Sequence, residues 1–198
     1  IGSNHPAWVG YAQQFGLKFL DATEEDLEAP VVLGGKRLTS DASDALWEAM
    51  EKAFNTIVTD AAKVDADQPW TAANAEALDK RTLASWINGL GASPLCKTGL
   101  HTLMMADNGM VTEGQSYLAN LAMVKGGGVE KFWTDSEVYR CAQGNQALAT
   151  KLVEAIGADR IRLQTIVRRI DHGSAGVRLT LASGEQIGAD DVVLAIPP

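Results

Sequence analysis

The sequence is poor in the residues that build metal sites and disulfide frameworks. It contains two cysteines, Cys96 and Cys141, and three histidines, none of which is spaced as part of a zinc-ligand set. The two cysteines therefore predict free, packed thiols in a reducing compartment, which favours a cytoplasmic location. No metal site is expected.

Positive charge and long apolar runs are also scarce. The chain has 17 Lys and Arg residues against 25 Asp and Glu, a formal net charge of -8, and a pI near 4.8. A surface of this sign does not attract a phosphate backbone, so nucleic acid is not an expected partner. No stretch reaches the roughly 18 apolar residues that a membrane-spanning helix needs, so no membrane partner is expected either.

Familiar catalytic motifs are missing as well. There is no Gly-x-Ser-x-Gly elbow, and the glycine run at residues 126–128 follows a predicted helix, without the strand and Gly-Lys-Ser/Thr of a phosphate loop. That run predicts a flexible helix end. Each histidine is better explained as a surface or hydrogen-bonded structural residue than as a catalytic one, although His101 lies beside an apolar helix and could face a cavity.

Helical periodicity dominates the part of the chain before residue 130. The clearest case is residues 41–64, where one stripe collects the apolar side chains. Further helices are predicted at residues 7–15, 74–78, 82–90, 94–106 and 117–124. A strand at 18–20 and a hairpin at 30–38 with a Gly-Gly turn are also predicted, and the acidic run at 21–28 is typical of a solvated loop.

The last sixty residues predict a helix followed by three strands. The helix covers residues 145–156, with Asn145 as its N-cap and Gly157 at its end. Alternating apolar and polar residues then predict strands at 161–165 and 177–182. Residues 192–196 are apolar on both faces, which predicts a strand that is covered on both sides and parallel to its neighbours.

The order of motifs in this region resembles the flavin-containing amine oxidase family, which includes monoamine oxidases and L-amino-acid oxidases. The resemblance rests on QGNQAL at 143–148, the segment 167–171, ADDVV at 189–193 and AIPP at 195–198. The family has a glycine where this chain has Gln143. The start of the chain, IGSNHP, is similar to the segment after the family's second glycine-rich flavin contact, and residues 78–87 resemble its Asp-x-x-Ser/Thr helix.

The resemblance implies an α+β fold in which a mostly helical substrate domain is joined to part of a Rossmann-like FAD domain, a helix plus a β-meander. The expected boundaries are 1–17 and 129–198 for the partial FAD-binding domain and 18–128 for the substrate-binding domain. The chain has neither an initial methionine nor a Gly-x-Gly-x-x-Gly turn. We therefore expect an internal piece that needs the remaining parts of the FAD domain as its partner and is inactive alone.

The implied activity is oxidation of a small-molecule amine or amino acid to an imine, with FAD as the electron acceptor and peroxide as the second product. The family pattern assigns Val167 to the adenine end of FAD, and Ile1 and Gly2 to the surroundings of the isoalloxazine ring. It also implies a substrate cavity lined by His101, Met104, Met105, Phe132 and Trp133. Methionines and aromatic residues at helical spacing are equally typical of core packing. No catalytic residue is assigned.

Two other functions stay open at this point. One is a related flavoenzyme of the desaturase or protoporphyrinogen-oxidase type, which a large apolar surface would favour and the polar stretches 21–28 and 60–68 disfavour. The other is a non-catalytic helical binding domain that has lost its flavin. The apolar strand at 192–196 is expected either to lie at an exposed sheet edge or to be covered by a second copy of the chain in a homodimer.

Overall fold

The computed structural model describes residues 1–23, 30–174 and 176–196. The chain forms two compact units, which we call the helical unit, Ile1–Asn145, and the meander unit, Gln146–Pro198, and which are described separately. The division at 18 and 129 stays a prediction. Most of the acidic run at 21–28, and Pro197 and Pro198 of the closing motif, lie outside the described residues.

Seven α-helices are found among the described residues of the helical unit. The six helices predicted from periodicity are confirmed, and a further short helix follows the glycine run. They are α1 Pro6–Phe15, α2 Ser40–Ala61, α3 Ala75–Lys80, α4 Leu83–Gly89, α5 Pro94–Asn108, α6 Tyr117–Gly126 and α7 Lys131–Asp135, with 3-10 turns at Pro69–Thr71 and Thr112–Gly114.

Local side-chain chemistry sets the helix ends. The hydroxyl groups of Thr39, Thr82, Ser93 and Ser116 each accept a hydrogen bond from the backbone N–H three residues later, as N-caps do. The predicted cap at Thr82 is confirmed. At the C-terminal end of α1, Gly16 has a φ of 65°, a left-handed conformation that glycine adopts without strain.

The core of the helical unit is built on the predicted apolar stripe of α2. This helix packs against α5 and α6, and Ile57, Leu100, Leu121 and Tyr117 are fully buried between them. Phe54, also predicted on the stripe, is only partly buried. Its ring faces the pocket described below.

The helical unit also contains two short antiparallel strand pairs. Strand β1, Phe19–Asp21, pairs with β4, Tyr139–Cys141, and the rings of Phe19 and Tyr139 stack with centroids 4.9 Å apart. Strands β2, Val32–Leu33, and β3, Lys36–Arg37, form the predicted hairpin. Its Gly34 and Gly35 both have positive φ, as a two-residue hairpin turn requires.

The meander unit consists of one helix and a three-stranded antiparallel sheet. Helix α8, Gln146–Ile156, ends before Gly157 (φ 95°) as predicted, and the 3-10 turn Ala158–Arg160 follows it. The strands β5 Val167–Gly173, β6 Gly176–Leu181 and β7 Gln186–Ala189 pair in the order β5-β6-β7. Together the two units confirm the α+β class.

Two predicted strands are wrong. Residues 161–165 form no strand, and Leu163 is 83% exposed; the first strand of the meander begins at Val167 instead. Residues 192–196 likewise have no ladder partner among the described residues, and Val193 is 90% exposed. Alternation and apolar content specify a strand only where a neighbouring backbone supplies hydrogen bonds, and here the described chain supplies none.

The described residues also bear on metals and membranes. Cys96 and Cys141 are free and buried. Within the described ranges, no three His, Cys, Asp or Glu side chains are grouped so that they could hold a metal ion. Among the same residues, no helix combines the length and apolar composition that crossing a bilayer requires.

Candidate functional site

The helical unit contains a pocket of about 570 Å³ whose lining includes four aromatic side chains, and which we call the aromatic pocket. Phe54 and Trp133 stack with ring centroids 4.2 Å apart, and Phe132 meets Trp133 edge to face at 4.8 Å. The full lining is Thr23, Trp47, Phe54, Leu103, Asp107, Asn108, Met123, Phe132, Trp133, Thr134, Ser136, Glu137 and Val138.

Helical spacing explains how the pocket walls are assembled. Trp47 and Phe54 are seven residues apart on α2, so they project from the same face of that helix. Leu103 and Asp107 are four residues apart on α5 and are neighbours on its surface. Helix α7 and the residues after it close the remaining side. Met123 of α6 also lines the pocket, which therefore depends on four helices, α2, α5, α6 and α7.

The glycine run gives Phe132 its place in the wall. A Cβ built on Gly127 would collide with the Phe132 ring and would lie 3.1 Å from its Cβ. Gly128, between α6 and α7, has a φ of 93°, a backbone conformation that glycine adopts without strain. The run thus ends a helix, as predicted, and it also allows the aromatic ring to pack directly on the backbone.

Two carboxylates, those of Asp107 and Glu137, lie in the lining of the aromatic pocket. Both side chains are exposed, and neither forms an ion pair with any described residue. Partial enclosure by the pocket wall, together with the charge of Glu137, raises the pKa of Asp107 above its usual range. No lysine or arginine belongs to the described lining. Among the described lining residues, therefore, no positive charge offsets these two carboxylates.

This raised pKa predicts a pH-dependent effect of Asp107→Asn. Because the folded pKa exceeds the unfolded one, the ionised carboxyl penalises the folded state at pH 7, and the penalty disappears as both states become protonated. We expect the variant to unfold with a free energy roughly 0.5 kcal/mol above wild type at pH 7, and with a smaller difference at pH 4. Urea titrations followed by circular dichroism at both pH values measure the difference.

The same change in a Glu137→Gln background provides the control. The charge of Glu137, one of the two causes of the raised pKa of Asp107, is then absent. The increase in the free energy of unfolding that Asp107→Asn gives at pH 7 should therefore be smaller in this background. If Asp107→Asn changed the free energy of unfolding by the same amount at pH 4 and pH 7, the raised pKa of Asp107 would be contradicted.

The structure separates the residues that the sequence proposed for the substrate cavity. Phe132 and Trp133 line the aromatic pocket. Met104 is 2% exposed and belongs to the hydrophobic core, while Met105, one position along the same helix, is 44% exposed and lies outside the pocket lining. A contact of any of these side chains with substrate stays a prediction.

His101 also lies outside the lining of the aromatic pocket. Its Nδ1 is 2.6 Å from the Thr112 hydroxyl and its Nε2 is 3.4 Å from Asn88 Oδ1. The ring therefore links α5 to α4 and to the turn Thr112–Gly114. These contacts are those of a hydrogen-bonded structural histidine, and its place in a substrate cavity stays a prediction.

Sequence reasoning missed several residues that the structure brings into the pocket. Asp107 follows Leu103 by one helical turn, a spacing that could have indicated it once α5 was predicted to line a cavity. Trp47 lies beside the α2 stripe and is 49% exposed. Glu137 follows α7 in an irregular segment, and no periodic signal precedes it.

Of the residues expected near the flavin ring, Ile1 and Gly2 are both held by the segment that leads into β4. Ile1 and Tyr139 exchange backbone hydrogen bonds at 2.8 Å in both directions. A Cβ on Gly2 would lie 2.6 Å from the Asp135 carbonyl oxygen and 2.7 Å from Ser136 Cα. The glycine is thus explained by close backbone packing, and flavin contacts at Ile1 and Gly2 stay predictions.

Gln143, which stands where the family has a glycine, has a local structural role. Its side-chain oxygen accepts a hydrogen bond from the Lys18 backbone N–H at 3.2 Å, and Gly144 after it has a φ of 83°. The side chain thus ties the end of β4 to the residue before β1. A glycine at this position could not make this contact.

Val167 is the first residue of β5, an edge strand of the meander sheet. It is 44% exposed, and the register shifts between Val167 and Arg169, which marks a bulge. An edge strand leaves backbone N–H and C=O groups on one side without a ladder partner, and a bulge reorients them. A contact of Val167 with the adenine end of FAD stays a prediction.

Comparison with known proteins gives consistent matches. The profile of the flavin containing amine oxidoreductase family matches residues 1–198. A Mycobacterium tuberculosis protein named as a flavin-containing monoamine oxidase, AofH, is 30% identical over 134 residues, which cover 66% of this chain and 29% of that protein.

Solved structures extend the match to the whole fold. A putrescine oxidase bound to putrescine superposes with a TM-score of 0.81 at 20% identity, covering 100% of this chain and 46% of that one. Cyclohexylamine oxidase from Brevibacterium oxydans IH-35A gives 0.79 at 21% identity, covering 96% of this chain and 44% of that one. The chain therefore spans less than half the length of these relatives. On the match along all its residues, it belongs to the family of flavin-containing amine oxidoreductases.

Proposed function

We propose that this chain forms the substrate-binding part of an FAD-dependent amine oxidase. The observation that carries the proposal is the aromatic pocket, which combines apolar walls with two carboxylates in a chain that matches the family throughout. The named relatives are a monoamine oxidase, a putrescine oxidase and a cyclohexylamine oxidase, which supports an amine as substrate.

The proposed reaction is a two-electron oxidation. An amine R–CH₂–NH₂ loses two electrons and two protons and becomes the imine R–CH=NH, which water hydrolyses to an aldehyde and ammonia. Bound FAD supplies the acceptor for the two electrons, and molecular oxygen finally receives them as hydrogen peroxide. No described residue is assigned to the chemical step.

The residues of the aromatic pocket contribute by positioning and by excluding water. The stacked rings of Phe54 and Trp133 present a flat, rigid wall against which an alkyl or aryl group can pack. Removing water from such a wall favours substrate binding and holds the carbon–nitrogen bond in a defined orientation. For the cofactor, the bulged edge of β5 at Val167 offers backbone groups to the adenine end of FAD.

We also propose that the meander unit packs against further parts of a flavin domain. Apolar side chains are exposed along its first strand and before it, including Ile166, Val167 and Ile170. An apolar surface of this kind on one sheet face is typical of a surface that other elements cover. The matched relatives have more than twice the length of this chain, which leaves room for such elements. A second copy of the chain is the competing occupant.

The proposed function predicts a yellow protein that releases peroxide when it is given amines. The full-length protein, in which the remaining parts of the FAD domain accompany this chain, should show flavin absorbance bands after reconstitution with FAD, and amine addition in air should yield peroxide and aldehyde in equal amounts. A full-length protein that stays colourless with excess FAD would contradict the proposal.

The pocket's part in this activity is tested by Trp133→Leu. Loss of the stacked wall should lower kcat/KM for amines about tenfold. Trp70→Leu is the matched control, because Trp70 is 68% exposed and lies outside the lining. Equal losses in the two variants would argue against the pocket as the amine site.

A further inference from the structure

The sulfur atoms of the helical unit differ sharply in exposure. Cys96 and Cys141 are buried, so an oxidant in solvent does not reach their thiols. Three of the five methionines are exposed: Met105 at 44%, Met110 at 52% and Met123 at 37%. A thioether reacts with oxidants without first losing a proton, whereas a cysteine must become a thiolate. The exposed thioethers are therefore the sulfur atoms most open to oxidation.

Two of these methionines line a second pocket of the helical unit, of about 300 Å³, which we call the amide pocket. Its lining includes Met110 and Met123 together with the amide side chains of Asn108, Gln115 and Asn120. Asn108 and Met123 also line the aromatic pocket, so the two pockets share part of their walls. A chemical change in the amide pocket can therefore reach the aromatic pocket through these two residues.

The amide side chains of this lining form one hydrogen-bonded network. Asn108 donates to Gln115 Oε1 at 2.7 Å and to Asn120 Oδ1 at 3.1 Å. Gln115 donates to the backbone carbonyl oxygen of Met110 at 2.6 Å. The Met110 sulfur packs on Gly114, 3.2 Å from where a Cβ on that glycine would lie. The network thus borders a thioether, which is only a weak acceptor of hydrogen bonds.

Oxidation changes this sulfur into a strong acceptor. Hydrogen peroxide, the second product of the proposed reaction, transfers one oxygen atom to Sδ: its O–O bond breaks, an S–O bond forms, and sulfur loses two electrons. The transferred oxygen gives its proton to the departing hydroxide, which leaves as water. The polar sulfoxide oxygen then competes for N–H donors, and the amide pocket supplies those of Asn108, Gln115 and Asn120.

We propose that Met110 and Met123 are sites of modification by hydrogen peroxide, and that their conversion to sulfoxides weakens amine binding in the aromatic pocket. The inference rests on the proposed function, which supplies the peroxide. A sulfoxide at Met110 takes a donor from the amide network and releases Asn108 from the wall that both pockets share. A sulfoxide at Met123 places a polar group in the aromatic pocket itself. The activity therefore falls as its own product accumulates.

Peptide mass spectrometry of the full-length protein after exposure to hydrogen peroxide tests the sites. Met110 and Met123 should gain an oxygen atom about tenfold faster than Met50 and Met104, which are each 2% exposed. Met105 should react as well, because it is exposed, but it lies outside both pocket linings. If Met110 and Met123 reacted no faster than the two buried methionines, the proposal would be overturned.

The functional effect is measured within each variant, before and after peroxide treatment and removal of the excess with catalase. The amine is whichever of butylamine, benzylamine and cyclohexylamine the full-length wild type oxidises fastest. Treatment should raise KM of the wild type about threefold with a smaller change in kcat, because a pocket wall changes and no reacting group does. Methionine sulfoxide reductases should then restore KM, which general damage would not allow.

Leucine variants assign the effect to particular methionines. Leucine is close to methionine in size and cannot be oxidised, so the variants should fold. The double variant Met110→Leu/Met123→Leu should keep its own KM after treatment. Met105→Leu is the matched control, since it removes an exposed thioether outside both linings and should stay as sensitive as the wild type. Equal sensitivity of the double variant and the wild type would overturn the proposal.

Failure of this inference is distinguishable from failure of the proposed function. Selective oxidation of Met110 and Met123 by added peroxide, in a full-length protein that oxidises no amine, would support the modification sites and overturn the oxidase proposal. Amine oxidation whose KM stays unchanged when both methionines have become sulfoxides would overturn the inference and leave the oxidase proposal intact.

Discussion

Replacing Tyr117 with alanine is expected to destabilise the helical unit by about 4 kcal/mol. Tyr117 is the first residue of α6 and is fully buried in the core. Its ring stacks on Trp86 at 5.6 Å between centroids, and the Arg81 guanidinium lies 4.9 Å from its centre. Truncation would remove these contacts and leave a cavity that the surrounding helices cannot fill.

The hydroxyl group of Tyr117 has a smaller role that can be measured separately. It donates a hydrogen bond to Asp60 Oδ2 at 3.0 Å, while Lys63 lies 3.0 Å from the other carboxylate oxygen. Tyr117→Phe keeps the ring and removes this bond, and Asp60 retains its lysine. We therefore expect a loss of about 1 to 2 kcal/mol, less than half of the alanine effect.

Urea denaturation followed by tryptophan fluorescence gives both free energies. Burial and the negative charge of Asp60 also raise the pKa of Tyr117 well above its usual range. Tyr117→Phe should therefore leave the tyrosinate absorbance of the folded protein unchanged up to about pH 11. If the phenylalanine variant were as unstable as the alanine variant, the hydrogen bond rather than the ring would be the main contribution.

Replacing Gln115 with leucine is expected to cost about 3 kcal/mol, although the side chains are similar in size. Gln115 is 6% exposed. Its amide group donates hydrogen bonds to the carbonyl oxygens of Met104 (3.3 Å) and Met110 (2.6 Å). Its oxygen accepts from the side-chain amides of Asn108 (2.7 Å) and Asn120 (3.3 Å). Leucine would leave buried polar groups without partners.

Gln115→Glu tests the same network through pH. The carboxylate keeps the acceptor atoms but places a charge against two carbonyl oxygens, so the pKa of the new carboxyl should be raised in the folded state. Its penalty is absent at low pH, where the neutral acid can still donate to Met110, and it grows as pH rises through the folded pKa. The variant should therefore be less stable at pH 7.5 than at pH 4.5, relative to wild type, by urea denaturation.

The network connects this stability to the pocket. Asn108, which donates to both Gln115 and Asn120, also lines the aromatic pocket. If Gln115→Leu frees the Asn108 side chain, KM for amines should rise more than kcat falls, because the wall loses its position and no reacting group changes. A variant with full stability loss and an unchanged KM would show that the pocket wall is held independently of the network.

Most helices and turns of this protein were predicted correctly from local sequence patterns. The apolar stripe of α2, the Thr82 cap, the Gly16 terminus and the Gly34-Gly35 hairpin all depend on residues within a few positions of one another. Backbone conformation and side-chain capping act over that same range, so composition and spacing were sufficient. The family motifs added the order of the elements and the likeness to flavin-containing amine oxidases.

The strands and the lining of the aromatic pocket could not be predicted from the spacing of residues along the sequence, because both depend on contacts between distant segments. Residues 161–165 alternate correctly and residues 192–196 are continuously apolar, yet neither segment meets a partner strand in the described chain. Met104 and Phe132 were equally good candidates for a cavity wall, but the fold buries the first in the core and places the second in the lining.

Sequence alone thus indicated helices α1 to α6 and α8, the Thr82 cap and the family of this protein, because these follow from short-range patterns and ordered motifs. Tertiary structure alone decided that Phe54 stacks on Trp133 and that Asp107 shares a pocket with Glu137. Residues this far apart along the chain meet only when helices pack, and packing depends on the shapes of all the surfaces that are buried together.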